Sequence, residues 1–189
     1  MKNLKNCVGK NLQWEGLRST LEKPDELFCD EDLVAKIIWK PEYLLSSKKP
    51  ITEALKKSSK FEAEGQTKEG KWIFERQGFL LNRRLIAKKS GKAVASCSYF
   101  QTNQKLEIKL SNKKIFTIKQ GNILHPRYVL EGGGKELVSV QVNLSKLFTK
   151  KEAVRMTINP AAKSLKELSF LVLFFMYYLA ILTWDTRFV

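Results

Sequence analysis

His125 is the one histidine of this chain, and an imidazole is the side chain best suited to general base work or metal ligation near neutral pH. It sits between Leu124 and Pro126 at an expected strand start, with no Cys, Asp or second His at useful spacing, so it reads as a loop histidine. Cys7, Cys29 and Cys97 lie far apart, are odd in number and form no CxxC. They argue against a disulfide framework and an ordinary zinc ligand set, and they fit a reducing compartment. The acidic cluster Asp25, Glu26, Asp30, Glu31 and Asp32 lacks the glycine and spacing of a calcium loop, and reads as a solvated acidic turn or one that pairs with a basic surface. Gly132, Gly133 and Gly134 are followed by no GK[ST] and no helix, which makes them a hairpin loop and not a phosphate cradle. With no GxSxG, HExxH, Walker A or Rossmann pattern either, the sequence predicts no enzyme, no cofactor and no metal site.

What chemistry remains is electrostatic. Lys and Arg number 34 against 19 Asp and Glu, for a formal charge of +15 in 189 residues. Such a surface attracts anions, whether lipid headgroups, acidic proteins or nucleic acid. The cations that cluster are the candidates for an anion or lipid site: Lys48, Lys49, Lys56, Lys57, Lys60, Arg83, Arg84, Lys88, Lys113 and Lys114. Successive residues of a strand point to opposite faces, so only one of each strand doublet can join a given patch, a limit that loop doublets escape. Nucleic acid is the weaker partner, because the aromatic residues fall mostly on the apolar side of the alternation and buried rings cannot stack on bases.

These side chains must be carried by strands. At 189 residues the chain predicts one domain. From about residue 60 to 160 apolar residues recur with period two, broken by turn residues roughly every ten positions, the pattern of an antiparallel meander. Leu106, Ile108 and Leu110 are expected on the buried face, with Lys105, Glu107 and Lys109 opposite them in water. Hairpins are predicted across 67–70, with Phe61, Ala63, Trp72 and Phe74 inward, and across Ser90-Gly91, where glycine accepts the positive φ that a tight turn needs. About eight strands fall in this range, ending on Val154, Met156 and Ile158. Residues 33–39 supply a ninth and the residues around Leu12 to Leu21 a tenth. Residues 1–59 otherwise hold a basic loop over 46–59, with one helical turn capped by Thr52. No secretory signal is expected at the N-terminus, which lacks an apolar core of the required length.

The pattern changes near the end. Residues 162–184 read as a helix, and Leu168 through Trp184 contain no charge. A helix apolar all round must be enclosed by protein or by lipid. The uncharged run spans about 26 Å, at the lower edge of a bilayer core, so a tail anchor is one reading. The other is a barrel closed around the helix, which covers the apolar faces of the strands and removes their exposed edges at once. The sequence predicts the second: a mainly β protein, an antiparallel barrel meander closed around a hydrophobic C-terminal helix.

That architecture resembles the tubby C-terminal-like fold shared with the LURP-one-related and phospholipid-scramblase families. The likeness covers residues 60 to 184 and rests on element order and on the placement of aromatic and glycine residues: Phe61 to Gly65, Gly70 to Phe79, then short strands, Asn159 to Ala162 and the Leu-rich stretch from Leu168. The same segments are similar to those of small bacterial proteins near this group. The resemblance implies binding of anionic lipid headgroups by basic residues on the barrel wall, but no lipid motif of the family maps onto individual residues here. The Pro-rich N-terminal region and palmitoylated cysteines of the scramblases have no counterpart, so lipid scrambling is not implied. The functional expectation is a non-enzymatic, cytoplasmic and membrane-associating module for anionic phospholipid or another anionic partner. A tail-anchored protein with a cytosolic β domain and a nucleic-acid-associated module are the alternatives.

Overall fold

The computed structural model describes residues 1–16, 23–40, 61–78, 83–99, 105–121, 126–142 and 154–185. Twelve antiparallel strands close into one barrel: β1 (Asn11–Glu15), β2 (Asp25–Cys29), β3 (Asp32–Trp39), β4 (Phe61–Thr67), β5 (Gly70–Gln77), β6 (Arg83–Lys89), β7 (Lys92–Tyr99), β8 (Lys105–Leu110), β9 (Ile115–Gln120), β10 (Arg127–Gly132), β11 (Lys135–Val142) and β12 (Val154–Ile158). Each strand pairs with its neighbours in sequence, and β1 pairs with β12 to close the ring. The helix α1 (Leu168–Asp185) follows β12 and fills the interior.

Inward positions follow the period-two pattern. Leu106, Ile118, Leu130, Val138 and Ile158 stand opposite one another across five successive strands, and all are buried. Across the barrel the matching row is Trp39, Ala63, Phe74, Ala87, Ala95 and Leu110. Its small members make room for large side chains from α1, which is how a core mixes sizes to reach close packing. Phe170, Phe174 and Tyr177 lie at i, i+4 and i+7 on one helix face. All three pack on Phe74, with ring centroids 6.4, 6.0 and 5.2 Å away, and Trp39 stacks on Tyr177 at 5.6 Å. Gly65 exists for the same reason, since a Cβ there would lie 2.4 Å from Phe74 Cε2 and 3.1 Å from Leu173.

From Leu168 to Ile181 every side chain of α1 is buried, on all faces of the helix. The apolar surface that raised the tail-anchor alternative is thus consumed inside the barrel. Among the described residues no helix is long and apolar enough to cross a membrane. The helix also begins later than the sequence suggested: Pro160–Ala162 forms a separate 3₁₀ turn, with the Asn159 side chain accepting from the Ala161 amide, and α1 starts at Leu168.

Twelve strands exceed the ten expected. Nine rather than eight fall after residue 60, and β1 is shorter than the stretch proposed for it. The strand that sequence reading missed is β2, whose acidic residues look like a solvated turn. Only Asp30 and Glu31 form the turn, at φ 53° and 73°, paired through Asp30 with Lys2 and Lys10. Asp25 points inward and is 2% exposed. Its Oδ2 accepts a 2.9 Å bond from Trp39 Nε1, while Oδ1 and Trp14 Nε1 are both buried without a bonded partner. Burial pushes this carboxyl up to about 7, against the opposing pull of the Trp39 and Trp14 indoles. The side chain of Phe61, the loop with its Thr52 cap and His125 lie outside the described residues.

Candidate anion-binding rim

Because the strands alternate in direction, the five tight turns β2–β3, β4–β5, β6–β7, β8–β9 and β10–β11 all lie at one end of the barrel, here the hairpin end. The connector from Asn159 to Glu167, which leads into α1, lies there too. Ser90-Gly91 turns at φ 50° and 77° and Gly133-Gly134 at 57° and 74°, the paired positive values of a tight primed turn. The triple glycine is therefore a hairpin loop, as its sequence context indicates.

Lysines occupy this end. Lys68, Lys92, Lys113 and Lys135 stand at or beside four of the turns, and Lys163 and Lys166 on the connector. All six are exposed, and none has a carboxylate within ion-pair distance among the described residues. Elsewhere on the outer wall several cations are matched: Lys40 with Glu62, Lys71 with Glu64 at 3.0 Å, Lys119 with Glu131 at 2.6 Å and Arg127 with Glu136 at 2.7 Å. Most of the unneutralised charge among the described residues thus lies at the hairpin end.

Two ties gather part of this rim into one patch. Glu167 accepts from Lys114 Nζ at 2.7 Å and from Asn112 Nδ2 at 3.2 Å, binding the connector to the β8–β9 turn. Burial alone would raise the Glu167 carboxyl, but these donors hold it below its ordinary value. Lys113 and Lys166, the sequence neighbours of the tied Lys114 and Glu167, are thereby held at one corner of this end. Ile115 follows Lys114 on β9, directly across from the exposed Lys109, and is itself 54% exposed, the most exposed large apolar residue described.

The ten cations singled out from sequence do not converge on one site. Lys48, Lys49, Lys56, Lys57 and Lys60 lie outside the described residues. Arg83 and Arg84 begin β6 at the end opposite the hairpins, where Arg84 donates to Ser96 Oγ at 3.1 Å. Lys88 is bonded to Glu75 at 2.5 Å and Lys114 to Glu167, so both charges are already met. Of the ten, Lys113 alone is an exposed rim lysine without a carboxylate partner among the described residues. Lys68, Lys92, Lys135, Lys163 and Lys166 were missed because each stands apart from other cations or in an ordinary turn, and only barrel closure brings them to one end.

The chain matches no protein-family model, no curated protein and no solved structure. What the geometry offers must therefore be read from its own residues. An open groove of about 480 Å³ on the outer face of β1 and β2 is lined by Asn11, Gln13, Glu15, Phe28, Asp30 and Glu31, which presents carboxylates without a nucleophile or a histidine. Among the described residues no three His, Cys, Asp or Glu side chains are grouped to hold a metal ion. Trp14, Trp39, Trp72, Phe74 and Phe116 are all buried and provide no stacking platform for bases.

Proposed function

We propose that this protein is a non-enzymatic binding module of tubby-like barrel type that docks its hairpin end on anionic phospholipid. The observation that carries the reading is the set of exposed lysines without carboxylate partners at the hairpin end, Lys109, Lys113, Lys163 and Lys166 among them, together with Ile115 exposed directly across from Lys109. Juxtamembrane lysines are worth about 1 kcal/mol each near an anionic leaflet. An apolar side chain at the centre of such a patch gains by entering the headgroup boundary, whereas it gains nothing from a phosphodiester backbone. Ile115 thus favours lipid over nucleic acid.

Co-sedimentation with vesicles of phosphatidylcholine, with and without 30 mol% phosphatidylserine as a nominal loading, tests the proposal. Binding to the anionic vesicles is expected, weakening as salt rises. Neutralising Lys109, Lys113, Lys163 and Lys166 to Gln should remove about 4 kcal/mol, roughly a thousandfold in affinity. Changing Arg83 and Arg84 to Gln at the opposite end should leave binding within about twofold. Equal binding to neutral vesicles, equal loss from both sets of variants, or displacement from vesicles by an oligonucleotide at equal phosphate would refute the lipid reading.

A further inference from the structure

The three cysteines look unrelated in sequence, yet folding brings two of them together. Cys7 ends the N-terminal 3₁₀ turn (Leu4–Cys7) and Cys29 ends β2, 22 residues later. Both are fully buried, and Lys10 joins their two segments, its N–H donating to the Cys7 carbonyl at 3.1 Å while its ammonium bonds Asp30, the residue after Cys29; the two thiols are close enough to influence one another's ionisation. Cys97, on β7, is buried separately. The surroundings of the pair are polar on one side. Cys7 Sγ lies 3.8 Å from the Asn3 carbonyl and Cys29 Sγ 3.9 Å from Asp30 Oδ2, whose carboxylate is in turn bonded to Lys10 and 3.9 Å from Lys2.

We infer that Cys7 and Cys29 form a redox clasp, a dithiol that closes to an intramolecular disulfide on exposure to a low-molecular-weight disulfide and so locks the N-terminal turn onto the hairpin end. The geometry allows this because the first ten residues join no strand. Their described backbone ties to the barrel are Lys2 N–H to the Leu33 carbonyl at 3.0 Å and Gly9 N–H to the Ile158 carbonyl at 2.8 Å, helped by the exposed Lys2–Asp32 and Lys10–Asp30 pairs. A segment held this way opens locally at far lower cost than the barrel unfolds.

Opening also supplies the reactivity. In the closed state burial first, and the neighbouring Cys29 second, push the Cys7 thiol up to about 12, so it is not a nucleophile. Once exposed it returns toward the ordinary thiol range. The thiolate attacks one sulfur of the oxidant RSSR, forming a Cys7–S–S–R bond and releasing RS⁻, which takes up a proton. On reclosing, Cys29 loses its proton and attacks Cys7 Sγ. The Cys7–Cys29 bond forms and the second RS⁻ leaves and is protonated. The protein is oxidised by two electrons with loss of two hydrogens, and RSSR is reduced to two RSH.

The test is oxidation of the full, native chain with glutathione disulfide, followed by denaturing alkylation and peptide mass mapping. The expected result is a loss of 2 Da, one cross-linked peptide pair containing Cys7 and Cys29, and Cys97 still fully alkylated. The Cys29→Ser variant should instead stop at the glutathione adduct on Cys7, and wild-type oxidation should slow no more than about twofold when Cys97 is changed to Ser. Cross-linking through Cys97, or a Cys7–Cys29 bond that appears only at urea concentrations that unfold the barrel, would overturn the inference. So would retention of both free thiols in native protein under conditions that oxidise an unfolded control.

Discussion

Asp25 turns the interior of the barrel into a measurable pH response. Its carboxyl is 2% exposed, is bonded to one indole and lies at about 7 in the folded chain against 3.8 for the free group. Between those two values the unfolded chain has released the proton and the folded one still holds it, so stability falls as pH rises and levels off above about 7. The full span corresponds to about 4 kcal/mol, of which about 3 kcal/mol is lost between pH 5 and pH 8. Among the described residues no charged group moderates this, since Glu26 on β2, Glu15 on β1 and Lys36 on β3 occupy outward positions while Trp14, Trp39 and Tyr177 face the carboxyl's side of the core. Asp25→Asn keeps an acceptor for Trp39 Nε1 and removes the proton equilibrium. Urea unfolding of both proteins at pH 5 and pH 8 should show the wild type losing about 3 kcal/mol more than the variant. Whatever the variant costs in packing is the same at both pH values and cancels from this difference. Equal slopes in the two proteins, or a wild type that gains stability from pH 5 to pH 8 relative to the variant, would refute the assignment of a buried, protonated acid.

Two further outcomes test the packing of helix against wall. Phe174→Ala, at the centre of α1 and in edge contact with Phe74, should cost about 3–5 kcal/mol in chemical denaturation, while Phe174→Asp should leave no folded barrel, because an unpaired charge cannot be hydrated there. Gly65→Ala places a methyl 2.4 Å from Phe74 Cε2 and should lower stability by about 1–3 kcal/mol through overpacking, read from the shift in denaturation midpoint.

The parts of this fold that were legible in sequence are those where period and burial agree. The alternation Lys105 to Leu110 is reproduced residue by residue, outward and inward, because a sheet with one wet face leaves no other arrangement. The apolar helix was legible as needing enclosure, and only closure of the ring supplies it. β2 was hidden because its inward residues, Asp25, Leu27 and Cys29, begin with a carboxylate, and a charged residue at a core position reads as a turn until its indole partner is seen. The rim was hidden for a different reason. Its lysines come from five separate stretches of chain, and proximity at a barrel end is a property of topology that local sequence does not carry. The same holds for Cys7 and Cys29, whose contact depends on where the N-terminal turn is folded back.

The closure of β1 on β12 also sets when the protein can exist at all. Synthesis delivers the first strand, then eleven more, and only after β12 the helix that fills them. Until then the emerging chain holds an open sheet whose inner face is apolar, whose first strand lacks its partner and whose core has not been made. Local hairpins form as they appear, but the contact that shuts the ring spans nearly the whole chain, and contacts of such separation form slowly. The barrel therefore completes only once β12 and the helix have both been made, and the interval before that is when the chain depends most on being kept from its neighbours.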